Sequence, residues 1–123
     1  MEEASRTFKT AWFAKAARKA RIADADLCAA IEQVRLGQAD DLGGGVFKKR
    51  LDRNRSRSIV LAKGERFWVY QYLFAKKDRA NIEDQDLADL RALAKTYARL
   101  SVEQVAQFLA DGDWVEICDD DQA

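Results

Sequence analysis

The 123-residue chain contains no histidine and only two cysteines. Without histidine the commonest general base is missing, so any acid–base chemistry must fall to lysine, tyrosine, aspartate or glutamate. Cys28 lies within a helical pattern and Cys118 near the C-terminal end, with no second cysteine close to either in sequence. Neither Cys-x-x-Cys nor Cys–His spacing occurs, which argues against a zinc or redox site, and no metal or cofactor is expected. No apolar run approaches the ~20 residues needed to cross a bilayer. The N-terminal Met1-Glu2-Glu3-Ala4-Ser5 is acidic, the reverse of a secretory signal, so a cytoplasmic address without membrane contact is expected.

Hydrophobic residues make up 48% of the chain and charged residues 34%, a balance that suits one globular domain spanning residues 1–123. The formal net charge of zero conceals a strong asymmetry. Residues 46–82 carry 11 basic and 3 acidic side chains, whereas residues 83–123 carry 3 and 11. A basic block inside a neutral protein points to a localised anionic ligand.

Periodicity predicts a short strand over Arg6–Thr10 and then a helix over Ala11–Ala20, with Trp12, Ala16, Ala17 and Ala20 on its apolar face. Asp24 or Asp26 can cap a second helix carrying Leu27, Ala30, Ile31 and Val34, which Gly37 ends, so the two helices form a hairpin. Asp40 to Gly45 reads as a turn. Three antiparallel strands follow in VFKKRL, RSIVLAK and RFWVYQYLF. Alternation on the last divides Phe67, Val69, Gln71 and Leu73 from Trp68, Tyr70, Tyr72 and Phe74 without showing which set meets the helices. Leu87, Leu90, Leu93, Ala94 and Tyr97 mark a third helix. Ser101-x-x-Gln104 is a capping box for a fourth, which Gly112 ends before a short Trp114–Ile117 strand. The acidic 119–123 tail is expected to be disordered. The fold class is therefore α+β, with helices on one sheet whose other face can stay wet.

Lys48, Lys49, Arg50, Arg53, Arg55 and Arg57 fall within ten positions, and Lys76, Lys77, Arg79 and Asn81 close the longest strand. Two basic clusters beside Tyr70 or Tyr72 suit single-stranded RNA, with cations for phosphates and rings for bases. RNA can be cut without metal when its 2′-hydroxyl attacks the adjacent phosphate, given a proton acceptor, a proton donor and stabilisation of the developing charge. An amine among cations has a depressed pKa, which makes Lys48 or Lys49 a candidate base, while Arg50, Arg57 and Arg79 stay charged and hold phosphate.

The strings FKTAWFAKAARKARIADADLCAAI, DDLGGGVFKKRL and FAKKDRANI resemble the RelE-like, HigB-type toxins of type II toxin–antitoxin systems, within the RelE/ParE superfamily, over roughly residues 8–117. That resemblance implies a small antiparallel sheet with an N-terminal helical hairpin and C-terminal helices packed on it. It also implies a ribosome-dependent messenger-RNA endonuclease with a cognate helix-turn-helix antitoxin. The family's basic strand maps to Lys48, Lys49 and Arg50, the arginine opening the next strand to Arg57, and the strand end to Lys76, Arg79 and Asn81. With the basic clusters and the aromatic strand added to this mapping, the catalytic candidates are Lys48, Lys49, Arg57, Lys76 and Arg79, and the RNA-binding candidates are Arg50, Arg53, Arg55, Tyr70, Tyr72, Lys77 and Asn81. The link Asp52-Arg53-Asn54-Arg55-Ser56 is shorter than the glycine- and serine-rich loop usual in the group. A ParE-like gyrase inhibitor and a non-catalytic nucleic-acid- or antitoxin-binding module are the alternatives. Trp12, Phe13 and the alanine-rich helix offer an apolar surface for the antitoxin.

Overall fold

The computed structural model describes residues 5–63, 66–78 and 82–118. Its elements in chain order are β1 (Arg6–Thr10), α1 (Ala11–Lys19), α2 (Asp24–Arg35), β2 (Asp40–Gly43), β3 (Val46–Leu51), β4 (Ser56–Lys63), β5 (Phe67–Ala75), α3 (Asp84–Ala98), α4 (Val102–Asp111) and β6 (Trp114–Ile117). Among the described residues the strands form one six-stranded sheet in the order β2-β3-β4-β5-β1-β6. The consecutive β3, β4 and β5 are antiparallel, as expected. The sheet as a whole is mixed, since β1 crosses over to pair parallel with β5 before β6 returns antiparallel to it. No helix among the described residues is long and apolar enough to cross a membrane.

Local chemistry sets the helix ends. Thr10 Oγ1 accepts from the Phe13 amide at the start of α1, and Asp26 reaches back to the Ala23 amide at the start of α2. The Ser101–Gln104 capping box opens α4 with both reciprocal bonds made, and left-handed Gly112 closes it.

Both faces of the sheet are covered, so the expectation of a wet face is overturned. Phe13 and Ala17 of α1 and Leu27, Ala30, Ile31 and Val34 of α2 pack on one face with Val60, Trp68, Tyr70 and Leu73. Ala94 and Tyr97 of α3 and Val105 of α4 pack on the other with Phe8, Val46, Ile59, Leu61, Val69 and Phe74. Burial on both sides makes β4 buried continuously from Ser56 to Ala62, a pattern that alternation cannot reveal.

The two-way division of β5 also fails, because Gln71 is a bulge. Ile59 pairs with Tyr72 but the next residue, Val60, pairs with Tyr70. Skipping Gln71 exchanges the faces, so Tyr72 and Phe74 join Phe67 and Val69 while Leu73 joins Trp68 and Tyr70.

Two further expectations are corrected. Asp40–Gly43 is not a turn but an edge strand on β3, bulged between Asp41 and Gly43, and the tight turn is confined to Gly44-Gly45. At Gly45 the backbone φ is +85°, and a Cβ there would sit 3.0 Å from the Ala62 carbonyl oxygen. On α1 the buried face is Phe13 and Ala17, while Trp12 is 53% exposed, so Phe13 offers nothing to a partner. Cys28 and Cys118, remote in sequence, are joined in a disulfide that ties the end of β6 to α2. The acidic 119–123 tail lies outside the described residues.

Candidate nucleic-acid interface

Strand alternation separates the basic residues of β3. Val46 belongs to the α3/α4 face and Phe47 and Leu51 to the α1/α2 face, so Lys48 and Arg50 point one way and Lys49 the other. The strand register then places Lys48 beside Ile59 and Tyr72, and Arg50 beside Arg57 and Phe74, all on the α3/α4 face.

Lys48, Lys49 and Arg50 nevertheless meet around the strand edge. β2 pairs with β3 only as far as Asp40 opposite Lys48, which leaves the outer edge open from Lys49 onward. There the approach of β2 forms a hollow of about 310 Å³ lined by Gln38, Ala39, Asp40, Lys48, Lys49 and Arg50. Lys48 Nζ lies 3.7 Å from Asp40 Oδ2, and Lys49 Nζ donates to the Gln38 carbonyl at 3.0 Å. Burial, aided by the Arg50 guanidinium, lowers the Lys49 pKa below the ordinary lysine value of 10.5. The amine therefore gives up its proton more readily than an ordinary lysine does.

The β3–β4 turn gathers the next cations. Asp52, Arg53 and Asn54 all adopt left-handed backbone with φ of 55°, 54° and 73°, and the Arg55 amide closes the turn on the Asp52 carbonyl. Asp and Asn tolerate this conformation better than Arg53 does. Arg53 and Arg55 are exposed, and Arg55 contacts Asp52 at 3.4 Å. The Lys76 amide donates to the Arg55 carbonyl at 2.8 Å, so exposed Lys76 and Lys77 sit beside this turn. The two basic clusters thus meet at one end of the sheet. Arg79 and Asn81 lie outside the described residues.

Two candidates have other duties. Arg57 is only 6% exposed, and its Nη1 donates to the carbonyls of Asn54 at 3.0 Å and Ser56 at 3.3 Å. It clamps the turn from inside and is not a surface cation. Tyr70 is fully buried and donates its hydroxyl to the Leu27 carbonyl at 2.6 Å, and burial raises its pKa. A base cannot stack on it, so its assignment to RNA binding is withdrawn. Tyr72, half-buried, stacks on Trp12 with ring centroids 5.1 Å apart and adjoins Phe74 at 5.8 Å. Sequence periodicity hid Trp12 by assigning it to the buried helix face. Its position two residues after the end of β1, beside the capping Thr10, is what turns the ring onto β5.

Comparison with known families finds that residues 5–117 match the family described as the RelE toxin of the RelE/RelB toxin–antitoxin system. No curated protein matches the chain. The match covers both helical faces, the basic edge and the closing β6 strand. The chain therefore belongs to the RelE toxin family, and is a toxin of a toxin–antitoxin system with an antitoxin as its partner.

Proposed function

We propose that this toxin is a metal-independent endoribonuclease that cuts messenger RNA on the ribosome and is neutralised by a helix-turn-helix antitoxin. The observation that supports this best is the open edge of β3. There Lys48, Lys49 and Arg50 line one hollow, and burial beside Arg50 lowers the Lys49 pKa.

In this reading Lys49 takes the proton of a 2′-hydroxyl as that oxygen attacks the adjacent phosphorus. Arg50 stabilises the charge that builds on the non-bridging oxygens. Lys48, beside Asp40, supplies the proton that leaves with the 5′-oxygen. The phosphorus–5′-oxygen bond breaks, giving a 2′,3′-cyclic phosphate and a 5′-hydroxyl. Arg57 acts as a positioning residue through the turn it clamps, while Arg53, Arg55, Lys76 and Lys77 hold flanking phosphates. Tyr72 and Trp12 present rings to bases.

The test is the chemistry of the ends left on messenger RNA after incubation with purified ribosomes. The reading expects downstream fragments that begin with a 5′-hydroxyl. A 5′-phosphate there would refute it, and intact message together with inhibited gyrase would favour the ParE-like alternative.

A further inference from the structure

Trp12 stands between two grooves of opposite charge. On one side Trp12 and Tyr72 border a hollow of about 450 Å³ whose far wall carries Asp86 and Asp89 of α3. On the other, a larger groove of about 770 Å³ runs between α1 and the end of β5, lined by Trp12, Lys15, Lys19, Phe74, Lys77 and Asp78 among others.

Lys15 and Lys19 are four residues apart on α1, so they share one helical face, with Trp12 one turn before them. Like charges at this spacing weaken a helix when nothing opposes them. Among the described residues none of Lys15, Lys19 and Lys77 forms an ion pair. The groove thus holds three exposed ammonium groups against the single carboxylate of Asp78. A ring that is 53% exposed stands at its mouth. Cations along a channel with an aromatic at its entrance suit a single-stranded nucleic acid.

We infer that the α1–β5 groove is a second RNA track, in which Lys15, Lys19 and Lys77 hold phosphates and a base stacks on the outer face of Trp12. Lys77 adjoins Lys76 and the Arg53–Arg55 turn, so the track is continuous with the basic end of the sheet. This inference rests on the chain acting on RNA; it adds Lys15 and Lys19 of α1 to Lys77 and Trp12, and none of these four belongs to the Lys48, Lys49 and Arg50 hollow.

The experiment measures binding of a short, fluorescein-labelled single-stranded RNA to the full chain across a salt series, alongside cleavage of ribosome-bound message. Replacing Lys15→Ala with Lys19→Ala should weaken binding and flatten the slope of log affinity against log salt by about 1.4, roughly 0.7 for each lost phosphate contact. The charge-matched pair Lys95→Ala with Arg99→Ala, at the end of α3, should change the slope far less. Unlabelled RNA should also quench tryptophan fluorescence through Trp12 alone, because Trp68 and Trp114 are 5% and 3% exposed, and Trp12→Phe should abolish that quenching.

An unchanged slope and unchanged quenching, in a toxin that still cuts message, would overturn the track and leave the endonuclease standing. Weakened RNA binding in the double variant, beside a wild-type chain that cuts nothing, would support the track and sink the endonuclease. If the double substitution instead weakened antitoxin binding and left RNA affinity intact, the groove would belong to the antitoxin and the inference would fail.

Discussion

Breaking the Cys28–Cys118 disulfide should lower the stability of this toxin more than most single core substitutions would. The bond closes a loop with a sequence separation of 90, joining the half-buried Cys28 of α2 to the residue that follows β6. In the chain-entropy account, cross-linking a loop of that length removes about 15.5 cal/mol/K from the unfolded ensemble, or about 4.6 kcal/mol at 25 °C. Unfolding entropy near 2.1 cal/mol/K per residue gives about 260 cal/mol/K for this chain, so the melting temperature should fall by up to about 18 °C. Residual structure in the unfolded state reduces that figure. The assay is thermal unfolding followed by circular dichroism, with and without a thiol reductant, alongside the double variant Cys28→Ala with Cys118→Ala. Reduction and double substitution should converge on one lower melting temperature, since neither sulfur sits at the centre of the core. The reasoning fails if both treatments leave the melting temperature within about 2 °C of the oxidised protein's, well short of the entropic estimate. Thiol titration that finds two free cysteines per native chain before reduction would remove its premise.

Two other expectations concern single residues. Lys49 has a lowered pKa in the folded chain, so the folded state binds fewer protons than the unfolded state between that value and 10.5; stability therefore rises with pH through this window, and Lys49→Met should flatten the rise. If Lys49 is also the base, cleavage should increase with pH to a midpoint below 10.5, and the permanently charged Lys49→Arg should be inactive at every pH; an active Lys49→Arg toxin would contradict the role. Tyr70→Phe leaves the buried Leu27 carbonyl without its hydroxyl donor and should cost about 1–2 kcal/mol in urea unfolding while leaving RNA affinity unchanged. Because the folded phenol stays protonated where the unfolded one ionises near 10, wild-type stability should fall as pH rises above that point, and Tyr70→Phe should lack this alkaline loss.

The elements other than β2 were legible in the sequence because they depend on neighbours a few residues away. Ser101 and Gln104 make their capping bonds within one turn, Gly112 supplies its left-handed backbone alone, and VFKKRL, RSIVLAK and RFWVYQYLF carry their own strand propensity. The meeting of the two basic clusters was legible as well, since three antiparallel strands in succession must bring residues 52–56 next to the end of the third. What depended on distant packing was not. The Gln71 bulge becomes visible only when β5 is laid against β4, and it decides that Tyr72 adjoins the basic face while Tyr70 enters the core. Lys48 and Lys49 share a hollow only because β2, a strand hidden behind three glycines, stops opposite Lys48. Cys28 and Cys118 become neighbours through the return of β6 alongside β1, a contact between chain ends that no local pattern encodes. Spacing along the chain determined which chemistry was present. The packing of both helical layers on one sheet decided which of those side chains reach solvent.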